Sequence, residues 1–138
     1  MSDKILKRFR TICLSFPEAT EKEAWGTPTF RVRDKLFAMW ADHHHGSTHV
    51  SMWCKAPAGV QEILVGAAPQ RFFVPAYVGH KGWIGMHLDV DVDWDEVRDL
   101  LKDSYLMTAP KKVALAFVDD VSPKPAPVGK RKRSKNPA

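Results

Sequence analysis

The chain has 138 residues, 44% of them hydrophobic, and carries 21 Lys and Arg against 16 Asp and Glu, a net charge of +5. That is enough for one domain with one core, and no run is apolar for long enough to cross a bilayer as a helix, so no membrane partner is expected. The charge is uneven: six basic and no acidic residues lie from Ser122 onward, leaving fifteen basic against sixteen acidic groups in residues 1–121, so overall charge is no argument for a nucleic-acid-binding domain.

The first residues, Met1 to Arg10, alternate basic and apolar side chains without the apolar stretch of a secretory leader, and a cytoplasmic location is expected. Asp3 caps a helix to about Phe16, with Ile5, Leu6, Phe9, Ile12, Cys13 and Phe16 on one face and Lys4, Lys7, Arg8 and Arg10 on the other. Pro17 ends it, and the acidic segment Glu18 to Glu23 reads as a loop. Trp25 to Trp40 then reads as two strands joined at a polar Arg33-Asp34-Lys35 turn, a hairpin at the centre of a small sheet. The turn Asp42 to Thr48 carries His43, His44 and His45, with His49 opening the strand to Lys55. Adjacent turn positions rarely converge on one ion, so no metal site is expected there. Cys13 and Cys54, without a C-x-x-C spacing, are expected to be reduced, buried thiols.

A short helix opens at Pro57, followed by strands over Arg71 to Val78 and Trp83 to Leu88, joined by a tight Gly79-His80-Lys81-Gly82 turn. The acidic run from Asp89 lacks the glycine and the final glutamate of a calcium loop; Asp93 with Glu96 reads instead as a capping box for a helix ending near Met107. A last helix starts at Thr108-Ala109-Pro110, and residues 122–138 form a disordered basic tail by composition.

These residues resemble the MmcQ/YjbR-like family of small bacterial proteins. The matching segments are Trp25 with Pro28-Thr29-Phe30-Arg31-Val32 and Lys35-Leu36-Phe37-Ala38, then Phe72 to Gly79 with Gly82-Trp83, and Ser104-Tyr105 with Ala109-Pro110-Lys111-Lys112. The resemblance covers about residues 5–118. It implies an α+β fold, a curved antiparallel sheet with helices packed on it, likened to a double-wing arrangement and to frataxin-like proteins, and with the composition change at Ser122 a single domain over residues 1–121 is expected. It also implies DNA binding, and it brings no catalytic residues.

Strand periodicity sorts Phe37, Met39, Val50, Met52, Cys54, Ile84, Met86 and Leu88 onto one face of the sheet, and Trp40, Trp53, Trp83 and His87 with Arg31 and Arg33 onto the other. Two functions follow as expectations. In the first, the tryptophan face stacks bases and DNA phosphates are met by Arg31, Arg33, Lys35, His80, Lys81, Lys111 and Lys112 and by Lys130, Arg131, Lys132 and Arg133 of the tail. In the second, an aromatic cleft of Trp25, Pro28, Tyr77, Trp83 and Tyr105 takes a small molecule or peptide. No nucleophile elbow, phosphate loop or H-E-x-x-H motif is present, so a non-enzymatic protein without cofactor is expected.

Overall fold

The computed structural model describes residues 2–42 and 49–121; the His43 to His45 turn and the basic tail, with Lys130 to Arg133, lie outside them. Six strands form one open antiparallel sheet. They are β1 (Ala19–Ala24), β2 (Thr27–Val32), β3 (Lys35–Asp42), β4 (Val50–Cys54), β5 (Phe72–Phe73) and β6 (Ile84–His87), in the spatial order β1-β2-β3-β4-β6-β5. Four helices accompany them: α1 (Ser2–Leu14), α2 (Val60–Ala67), α3 (Trp94–Thr108) and α4 (Lys111–Val121).

The segment expected as an acidic loop is the edge strand β1. Its central residues Thr20 to Glu23 are all exposed, so it carries no apolar alternation, and its six residues pair in full with β2. Charged side chains on an edge are what keep such a strand from pairing with another molecule. Both following turns are two-residue hairpins with positive φ at each central residue: Trp25 (54°) with Gly26 (74°), and Arg33 (51°) with Asp34 (69°). This geometry matches the right-handed twist of the strands it joins.

A bulge corrects the expected sorting of faces. Phe30 pairs with Ala38 but Arg31 pairs with Leu36, so Phe37 is the extra residue on β3. Beyond a bulge the alternation shifts by one. Phe37, Ala38 and Trp40 accordingly all join the core under the helices, while Met39 and Ala41 turn to the opposite face. Met39 and Trp40 have thus exchanged the faces that strict alternation gives them.

The main core lies between the sheet and α1, α3 and α4. Phe9, Phe30, Phe37, Met52, Ile84, Met86, Leu101 and Tyr105 are fully buried in it. Phe16 stacks on Tyr105 at 4.9 Å, and the Tyr105 hydroxyl donates to the Pro17 carbonyl at 2.8 Å, so this polar atom is satisfied inside the core. Cys13 and Cys54 are free and buried here, and burial pushes the Cys54 thiol up to about 12 and Cys13 well above its ordinary value. Neither is a nucleophile at neutral pH. At the start of α3, Asp93 accepts from the Asp95 amide at 2.9 Å, whereas Glu96, expected to reach back in a capping box, takes Arg71 at 2.8 Å.

The expected long strand from Arg71 shrinks to Phe72–Phe73, and residues 74–83 cross over the second face with a single 3-10 turn at Gly79–Lys81. Buried Gln61 of α2 holds that segment: its Nε2 donates to the Gly79 carbonyl at 2.8 Å and the Trp83 carbonyl at 2.6 Å. Gly79 fits because a Cβ there would stand 2.3 Å from Val74 Cγ1.

Candidate functional site

The second face of the sheet carries a smaller cluster of Met39, Ala41, Trp53 and Trp83, with Leu36, Phe73, Ala76 and Val78 packed on it. Its centre is one cross-strand row running Thr29, Met39, Trp53, Gly85, Phe73. Gly85 leaves room for the Phe73 ring, which would lie 2.3 Å from a Cβ built there.

No helix closes this face completely. A cleft of about 500 Å³ opens over the cluster, lined by Trp25, Leu36, Met39, Trp53, Ala76, Tyr77 and Val78. Leu36, Met39 and Trp53 come from the sheet; Ala76, Tyr77 and Val78 come from the crossing segment. Trp25 is 71% and Tyr77 76% exposed, in a protein whose other aromatic rings are mostly buried. Both sit at positive φ, 54° and 65°. A bulky residue in that region costs about 1–2 kcal/mol, so two aromatic rings are displayed at the cleft from backbone positions that suit glycine or asparagine better.

The five residues expected to form an aromatic cleft divide. Trp25 and Tyr77 line it. Trp83 lies in the cluster beneath, 4% exposed; Pro28 is half-buried in β2; and Tyr105 is in the main core on the opposite side of the sheet. Sequence reasoning missed Leu36, Met39, Ala76 and Val78, and placed Trp53 on a base-stacking face and not in the cleft. Their signal is weak, since each reads as an ordinary strand residue until the bulge and the crossing segment bring them together.

The base-stacking platform is overturned, because Trp40, Trp53 and Trp83 are 4%, 5% and 4% exposed. The positive residues expected beside it are scattered. Arg33 is engaged by Glu18 through both carboxylate oxygens, and Arg31 donates to Thr29 Oγ1 at 3.3 Å. Lys35, His80 and Lys81 are exposed at one end of the sheet, and Lys111 and Lys112 are exposed on the first turn of α4. Four other basic residues, Lys4, Lys7, Arg8 and Arg98, share a shallow groove of about 400 Å³ between α1 and α3 with Trp94 and Asp95, and Arg8 lies over the Trp94 ring at 4.8 Å.

At another part of the second face His49, His87, Ser51 and Asp89 form a polar group. His49 Nδ1 is 3.0 Å from Asp89, His87 Nδ1 is 2.9 Å from Ser51 Oγ, and the two imidazoles overlap at 3.9 Å. Burial, then the neighbouring His49, lowers the His87 pKa below its usual value. Burial alone would raise the Asp89 carboxyl, but the Val50 amide and His49 together pull it down. Ser51 is 2% exposed and is no accessible nucleophile.

Comparison with known proteins agrees with this architecture. The structure of a Deinococcus radiodurans protein with a domain described as DUF419 superimposes with a TM-score of 0.66 at 21% identity, covering 83% of this chain and 86% of that one. A Pseudomonas syringae protein superimposes with a TM-score of 0.57 at 17% identity, over 74% of this chain and 97% of that one. At these identities the likeness is one of fold. No curated protein matches the chain. A family model described as YjbR matches residues 14–107, from the end of α1 almost to the end of α3, and so takes in every strand of the sheet: the chain belongs to the YjbR family.

Proposed function

We propose that this protein is a non-catalytic binding module that takes a small, largely flat apolar molecule in the cleft between Trp25 and Tyr77. The observation that carries the reading is the pair of exposed aromatic rings held at positive φ over an apolar floor. Trp25 takes its positive φ from the β1–β2 hairpin turn, whereas Tyr77 takes it in the crossing segment outside any hairpin, and strain of that second kind is concentrated at functional positions such as ligand clamps. The cleft's size lies within the ordinary range for small-molecule sites, about 300–1,000 Å³.

The test is a titration of the full chain with the neutral fluorescent probe N-phenylnaphthylamine, in the native protein and in Trp25→Gly and Tyr77→Gly. Saturable one-to-one binding, weakened about tenfold by either substitution, is expected, since truncating an aromatic anchor commonly costs 1–2 kcal/mol or more. Absence of binding, or binding indifferent to both substitutions, overturns the reading.

DNA binding is the second reading. What supports it is the groove of Lys4, Lys7, Arg8 and Arg98, together with exposed Lys35 and Lys81. Anisotropy of labelled duplex and single-stranded DNA at two salt concentrations tests it. A salt-dependent affinity that falls in Lys7→Gln/Arg8→Gln places binding on the folded domain, and an unchanged affinity removes the groove from the argument.

A further inference from the structure

One lysine on the cleft face stands apart from the others. Lys55 continues the β4 ladder, its amide donating to the Phe37 carbonyl at 3.2 Å. It follows Trp53 by two positions, and residues so spaced on a strand share a face about 7 Å apart. Unlike Lys35 and Lys81 it is half-buried. Its backbone is pinned from the other side, where the Ser104 hydroxyl of α3 donates to the Lys55 carbonyl.

The antiparallel order brings two more ammonium groups to the same end of the sheet. Lys35 opens β3 and directly precedes Leu36 of the cleft wall. Lys81 closes the 3-10 turn three residues after Val78 of the same wall. The chain at Gly82 lies against the Ala56 carbonyl, 4.0 Å from a Cβ built on that glycine, so the Lys81-Gly82 and Lys55-Ala56 segments are neighbours. Burial, then Lys35 and Lys81, holds the Lys55 ammonium below the ordinary lysine range. Three like charges converging beside an apolar cavity raise one another's energy, and an anion placed among them relieves it.

Resting on the cleft reading above, we infer that the natural ligand is an amphipathic anion: a flat apolar body lies on Leu36, Met39 and Trp53 between Trp25 and Tyr77, and a single carboxylate, sulfonate or phosphate head is held by Lys55 with Lys35 and Lys81. None of the three lysines lines the cleft itself; half-buried Lys55 makes the direct contact with a head that projects past Leu36 and Val78, and exposed Lys35 and Lys81 shape the field around it. A neutral ligand of the same shape fills the apolar part and leaves the lysines unpaired. A cationic one is repelled.

Two probes with the same aromatic body separate this inference from the reading beneath it. Anilinonaphthalene sulfonate carries the anion that N-phenylnaphthylamine lacks. Each is titrated into the full-length native protein, Lys55→Met and Lys81→Gln. The native protein is expected to bind the sulfonate about tenfold more tightly than the neutral probe, the scale of one charge-assisted hydrogen bond. Lys55→Met is expected to remove most of that preference and leave the neutral probe within about twofold, and Lys81→Gln, at an exposed position, to reduce the preference about twofold through the longer-range field. Equal affinity for both probes in the native protein, or a preference untouched by both substitutions, overturns the anion inference while leaving the cleft intact. Failure of both probes to bind overturns the two together.

Discussion

The two faces of the sheet are built from the same strands and meet opposite fates. Under the helices, side chains from α1, α3, α4 and the five strands β2 to β6 close a continuous core in which even the Tyr105 hydroxyl has its acceptor. On the other face a cluster of four buried residues is roofed by one crossing segment, and two of the most exposed aromatic rings of the described residues stand at its edge. The fully buried residues of the core all keep negative φ, whereas Trp25 and Tyr77 are exposed and at positive φ. The contrast marks the first face as the main source of stability, and on the proposed function the second face is where a ligand is taken.

The sharpest way to break the comparison is to damage the closed face. Phe37→Ala empties a fully buried ring position and is expected to destabilise by about 3–5 kcal/mol, measured as the shift of the urea midpoint. A loss under about 1 kcal/mol means that the core is not closed as described. Gln61→Leu acts on the roof of the open face. It removes the Gln61 donor from the Trp83 carbonyl and leaves the Gly79 carbonyl with the Gly82 amide alone, at a cost of about 1–3 kcal/mol, and is expected to speed amide exchange in residues 74–83 while α1 and α3 keep their protection.

The smallest effect concerns acid. A histidine whose folded pKa lies below its unfolded value of 6.5 binds fewer protons folded than unfolded, so stability is full above about pH 6.5 and declines as pH falls toward the folded value. The lowered Asp89 carboxyl adds a further decline at more acidic pH, of the same sign. His87→Gln is expected to flatten the first part of the decline and spare the second, read from urea midpoints across the pH range. An unchanged profile removes His87 as its source.

Much of the closed face was legible in the sequence, because Phe9, Ile12 and Phe16 on α1 and Val97, Leu101 and Tyr105 on α3 repeat at helical spacing and the strands β4 and β6 alternate cleanly. The open face was not. Trp40 and Met39 exchange sides through a bulge that no local pattern announces, and Tyr105 falls in the core because α3 lies on the far side of the sheet from the cleft. β1 is a strand only by virtue of pairing, since Thr20 to Glu23 face solvent. Trp25 and Tyr77 were legible as aromatic residues beside Gly and Pro, but their positive φ and shared cavity are properties of the assembled chain.

The most direct measurement combines stability and binding in one variant, Trp25→Gly/Tyr77→Gly. Glycine removes about 1–2 kcal/mol of backbone strain at each position and returns about 0.5–1 kcal/mol of it through unfolded-chain entropy. Unfolding stability is therefore expected to hold or rise slightly, while affinity for N-phenylnaphthylamine falls by more than tenfold. A variant that loses 2 kcal/mol or more of stability, or that binds the probe as the native protein does, contradicts the assignment of this face to a ligand and returns both rings to the structure.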